Sequence, residues 1–151
     1  MTVTHASFSF ERVFPHPPAK VFAAYSSPAA KRRWLVEGEG FTVEAYEPGF
    51  GQGAREHSSF RFKGGPVITN DTVYTDIVDD ERIVFTYWMT IGGAPMSTSL
   101  VTVLLHPEGN GTRLTMTEQG TYNEGFADVA GREQGMRALM DALDREVAAN
   151  G

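Results

Sequence analysis

Glu118, His57 and Arg55 are the residues of this 151-residue chain whose types suit proton transfer and carbonyl polarisation. A carboxylate held near an imidazole or guanidinium in an apolar setting works as a general acid or base, or orients a ligand carbonyl. In segment 53–62, Arg55, His57 and Ser59 alternate on one face, with Glu56, Phe60 and Phe62 on the other. If the first face points inward, polar groups stand in an apolar cup beside Glu118. If it does not, Arg55, His57 and Glu118 lie at a mouth or on a wet convex face, the commoner fate of charged side chains.

Other chemistries find no support in the residues. The chain has no cysteine, which removes disulfides, thiolate metal sites and thiol nucleophiles. His5, His16, His57 and His106 are far apart and lack ligand spacing, so neither a metal nor another cofactor is expected. GFGQG (49–53) is glycine-rich but has neither a following helix nor the Lys-Ser/Thr of a phosphate loop. Lys31, Arg32 and Arg33 read as a solvated helix end compensating the dipole.

The residues suited to binding are aromatic, or are methionines whose flexible thioethers adapt to irregular partners. Trp34, at the end of a short helical region, is the leading pocket candidate. Phe60, Tyr74, Phe85, Tyr87 and Met89 join it from the strands, with Met116 and Glu118. Met136 and Met140 join from the last helix. Each of these residue types also fills cores.

The elements that must position them follow from periodicity. Residues 6–14 alternate as a strand until Pro15, and Pro17 and Pro18 open a helix running to about Tyr25. Ser27-Pro28 begins a second short helix over about 28–34. Strands are predicted near 41–47, 53–62, 67–78, 82–91, 96–106 and 112–120, separated by short breakers, with Asn110-Gly111 as the last hairpin turn. Within 67–78, Val73, Thr75 and Ile77 compete with Tyr74 and Asp76 for the inner face, a conflict that a bulge resolves. Met136, Leu139, Met140, Leu143 and Val147 form the apolar stripe of a helix over roughly 125–148. Gly131 and Gly135 lie four apart on it, where either close packing or space for a ligand explains them; close packing is the expectation. Strands in series with one long amphipathic helix imply an α+β domain covering 1–151, its antiparallel sheet curving around that helix.

Composition agrees with one folded domain. Hydrophobic residues make up 41% and charged residues 21%, and the formal charge is −6. An acidic balance argues against nucleic acid as a partner. Residues 83–105 are uncharged, yet Gly92, Gly93 and Pro95 in their middle suit two strands rather than a membrane span. The N-terminus shows no cationic start or apolar run, so a cytoplasmic location is expected. Pairing of two copies through an edge strand is open.

The stretch FERVFPHPPAKVFAAYSSPAAKRRW (10–34) resembles the opening of the activator of heat-shock-protein-90 ATPase homologue-like family. ERIVFTY (81–87) and LVTVLLHPEGNGTRLTMTEQGTY (100–122) resemble its later strands, and the glycine-bearing start of the last helix resembles its polyketide-cyclase-like bacterial members. The chain departs from the family at EPGFGQGA (47–54), which lacks the usual arginine. The resemblance implies the helix-grip fold of the START-like (SRPBCC) superfamily, with two short helices after strand 1. It also implies binding of a small hydrophobic or amphipathic molecule between sheet and C-terminal helix. A cyclase- or dehydratase-like enzyme using Glu118, His57 and Arg55 is the alternative, and a chaperone ATPase-activating module is a third.

Overall fold

The computed structural model describes residues 2–150. Strand β1 (Val3–Phe14) leads through α1 (Pro18–Ser26), α2 (Pro28–Lys31) and a π-helical turn (Arg32–Val36) to β2 (Phe41–Glu47). Five further strands follow: β3 (Arg55–Phe62), β4 (Ile68–Val78), β5 (Arg82–Ile91), β6 (Ala94–Glu108) and β7 (Gly111–Asn123). Helix α3 (Val129–Asn150) closes the chain. β2 to β7 form an antiparallel meander, and β1 returns to pair with β7, giving the order β1-β7-β6-β5-β4-β3-β2. The two short helices and the π turn therefore carry the chain from one sheet edge to the other.

Local chemistry sets the joints. Pro18 stands in the first turn of α1, and the Ser27 hydroxyl accepts from the Ala30 N–H to cap α2. The β5–β6 turn uses Gly92 and Gly93, both at positive φ. The β6–β7 turn differs by one residue from the expected Asn110-Gly111. Gly109 takes the positive φ, Asn110 follows, and Gly111 already pairs with Glu108. A Cβ on Gly111 would meet the Phe14 carbonyl oxygen at 2.3 Å, so close approach to β1, not turn geometry, requires glycine there.

The sheet bends where its registers shift, at Val43/Ala45, Tyr74/Asp76 and Met89/Thr90. The bulge in β4 settles the conflict seen in sequence: Tyr74 is buried, Thr75 is exposed, and Ile77 packs on the core. One face of the sheet supplies Phe8, Phe10, Ile83, Val101, Val103, Leu114 and Met116 to the core. Met140, Leu143 and Val147 of α3 complete it. Only the C-terminal half of α3 is sealed in this way. Met136 and Leu139, each one turn before Met140 and Leu143, remain half-buried.

Candidate functional site

Because the sheet curves while α3 docks through its later turns, the two surfaces diverge. The gap is a cavity of about 1120 Å³. Trp34 lines it, held by its indole N–H donating to the Ala24 carbonyl at 2.9 Å and by an edge contact with Tyr25. Phe60, Tyr74, Phe85, Tyr87 and Met89 line the sheet side with Met116, and Met136 and Met140 line the helix side. Exposed Phe41 and Phe62 stand at the rim beside Phe60.

The catalytic grouping considered from sequence does not assemble. On β3 the inward positions are Glu56, Ser58 and Phe60, so Arg55 and His57 occupy the outer face. Arg55 is exposed, and the His57 imidazole meets Asp71 of β4 at 2.8 Å on that outer side. Glu118 alone points inward, and it stands behind the cavity wall formed by Tyr87 and Arg132 rather than lining it. The physical reason is the odd–even phase of β3. A strand offers one face at a time, and Phe60 with Ser58 claims the inner one.

Two buried polar clusters occupy the site instead. In the first, Lys31 is only 1% exposed. Its Nζ donates to Glu56 Oε1 at 2.6 Å, to the Gly49 carbonyl at 2.9 Å and to the Tyr74 hydroxyl at 3.2 Å. Glu56 Oε1 also accepts from the Tyr46 hydroxyl and the Gly49 N–H. Burial lowers the Lys31 pKa, and the Glu56 carboxylate works against that shift. The expectation of a solvated basic helix end is thus corrected for Lys31. The helical path runs on as a π turn to Val36, and Lys31 is buried against Glu56 of β3, while Arg32 and Arg33 stay exposed. One signal in the sequence did point this way. Glu56 shares its face with Phe60 and Phe62, and a carboxylate on an apolar face requires a cation.

In the second cluster, fully buried Glu118 accepts at Oε2 from the Tyr87 hydroxyl (2.8 Å) and from Ser99 Oγ (3.1 Å). Arg132, in the first turns of α3, donates to the Tyr87 hydroxyl and to Ser97 Oγ, each at 2.9 Å. Its Nη1 lies 3.6 Å from Glu118. Burial raises the Glu118 pKa, and the bonds from Tyr87 and the charge of Arg132 offset part of that rise. Glu118 Oε1 and the Tyr122 hydroxyl are buried without a partner among the described residues. Arg132 carried no signal in sequence, since its role needs α3 to cross the sheet next to Tyr87.

The glycines of α3 also differ from expectation. A Cβ on Gly135 would meet nothing within 4 Å, and Gly135 lines the cavity, so it keeps space open instead of packing against a strand. Gly131 lies under its own cap: Asp128 Oδ1 accepts from the Gly131 N–H at 3.0 Å, and a Cβ would collide with that carboxylate.

A seven-stranded antiparallel sheet gripping a C-terminal helix, with a hollow between them, defines the helix-grip class of START-like proteins. The family model described as activator of Hsp90 ATPase homolog 1-like protein matches residues 15–148, and the chain belongs to that family. Among solved structures, the Mll3558 protein from Rhizobium loti is 46% identical, with 97% of this chain and 99% of that chain covered and a TM-score of 0.90. A putative uncharacterized protein from Rhizobium leguminosarum is 33% identical, with 99% and 98% covered and a TM-score of 0.94. Protein CV1439 from Chromobacterium violaceum, 23% identical over 93% of this chain and 96% of that one, shares the fold at a TM-score of 0.78. No curated protein matches the chain. Among the described residues, no helix is long and apolar enough to cross a membrane, and no cluster of potential ligands suits a metal.

Proposed function

We propose that this protein binds a small hydrophobic or amphipathic molecule in the cavity between its sheet and α3. The single observation that carries this reading is the hollow itself. About 1120 Å³ of space between sheet and helix, open on one side past the exposed Phe41 and Phe62, is at the upper end of the size range of ligand pockets and far beyond a packing defect. Its walls are aromatic and methionine side chains with few polar groups, the composition of sites that hold apolar ligands loosely in shape. Gly135 supports the same reading, because a mid-helix glycine is destabilising by about 1 kcal/mol relative to alanine and here only vacates space.

The test is a thermal-shift screen with aromatic polyketides, sterols and fatty acids, alongside mass spectrometry of molecules that co-purify. A ligand at a hundredfold its Kd stabilises the fold by about 2.7 kcal/mol. For a domain of this size that raises Tm by roughly 5–11 °C. Saturable shifts from one class support the reading; no shift from any class, with nothing co-purifying, refutes it. The enzymatic alternative built on Glu118, His57 and Arg55 loses its geometric support, because the latter two face away from the cavity.

A further inference from the structure

Four cationic side chains line the hollow; Arg33 and Arg145 are exposed to solvent, and the two that are not, Lys31 and Arg132, are not equivalent. Lys31 has three N–H donors, and all three are engaged by Glu56, Gly49 and Tyr74. Its charge is matched at 2.6 Å, and nothing remains to offer a ligand. Arg132 has five N–H donors, of which Tyr87 and Ser97 take one each. The carboxylate paired with it among the described residues, Glu118, lies at 3.6 Å, beyond the 2.7–2.9 Å range of a charge-assisted hydrogen bond. The guanidinium keeps 15% side-chain exposure and lines the cavity.

We propose that Arg132 anchors the head group of an amphipathic carboxylate whose apolar body lies along the Met116–Met136 walls of the cavity. This rests on the ligand-binding reading above. The guanidinium lies over the Tyr87 and Tyr122 rings, 5.8 and 5.2 Å from their centroids, and its Nε edge carries N–H donors with no partner among the described residues. A carboxylate meeting that edge gains two parallel N–H···O bonds in a setting with little water. Gly135, one turn on from Arg132, leaves open space beside it, whereas the Asp128 carboxylate stands against Gly131. The first turns of α3 add a partial positive charge. The other acids nearby are already committed. Asp128 caps Gly131, Glu133 pairs with Arg137 at 2.9 Å, and Glu118 is held by Tyr87 and Ser99.

The experiment titrates the intact protein with dodecanoic acid and, separately, with dodecan-1-ol by calorimetry. The acid is expected to bind at least tenfold more tightly, about 1.4 kcal/mol. Arg132→Met is expected to bring the acid down to the affinity of the alcohol, and Arg132→Lys to retain part of the preference through a single point charge. Equal affinities in the native protein overturn the anchor whatever the variants do, as does a preference surviving in Arg132→Met. Alcohol binding without acid preference defeats only the anchor. Binding of neither compound defeats the anchor, and the cavity reading falls with it only if the thermal-shift and co-purification test above also finds no ligand.

Discussion

Replacing Lys31 with methionine separates a buried ion pair from a solvated helix end. The substitution keeps the aliphatic stem and removes the ammonium that meets Glu56 Oε1 at 2.6 Å. Glu56 is 7% exposed, and after the change it retains only the Tyr46 hydroxyl and the Gly49 N–H. The Gly49 carbonyl and Tyr74 hydroxyl lose a partner at the same time. Breaking one side of a buried pair costs about 3–5 kcal/mol, because the remaining charge is left uncompensated. At roughly 2–4 °C per kcal/mol for this size, Tm falls by about 6–20 °C. Urea unfolding at neutral pH measures the free energy, and calorimetry the temperature. The double variant Lys31→Met/Glu56→Gln is expected to recover at least about 2 kcal/mol relative to the sum of the two single changes, since residues in one network do not add. A loss below about 1 kcal/mol for Lys31→Met, the ceiling for an exposed pair, refutes the reasoning, as does simple additivity.

Three further outcomes follow from the same geometry. Glu118 has its pKa raised by burial from an ordinary 4.5, so the folded state holds the proton more tightly than the unfolded chain. Its ionisation therefore subtracts stability as pH rises above the ordinary 4.5, and Glu118→Gln should gain on the native protein as pH rises from there in urea melts; a pH-independent difference would contradict this. Glu146 has its pKa lowered, chiefly by the hydrogen bond from Arg33 at 2.7 Å. The stability it contributes is present above the unfolded carboxyl pKa and lost as pH falls, so Glu146→Gln should cost stability at neutral pH and nothing in strong acid, read from paired thermal melts. Gly135→Ala should raise stability by about 0.8–1.0 kcal/mol through helix propensity. Gly135→Phe should fill the hollow and weaken dodecan-1-ol binding by about tenfold or more, about 1.4 kcal/mol; unchanged affinity would place the ligand elsewhere.

Much of the framework was legible from residue order alone. Alternation placed Ile83, Phe85, Tyr87 and Met89 of β5, and Leu114, Met116 and Glu118 of β7, on the inner face, and the structure puts them there. The stripe from Met136 to Val147 marked α3 as the helix the sheet must cover. The hidden conflict in β4 was visible as two competing alternations, because a bulge leaves a phase error in the pattern. These features are local: each depends on the period of one element, and a period is a property of sequence.

What the sequence by itself determined, then, was which face of β5, β6, β7 and α3 turns inward and the kind of layer they build. Tertiary structure alone decided which polar groups share the interior. Arg55 and His57 point outward because β3 takes its phase from Phe60, while Lys31, expected at the solvated end of a helix over about 28–34, is buried against Glu56. Arg132 meets Tyr87 across 45 residues, and Lys31 meets Glu56 across 25. Such meetings depend on how far a sheet bends and where a helix crosses it. Those quantities are set by the packing of the whole chain at once, and no single segment encodes them.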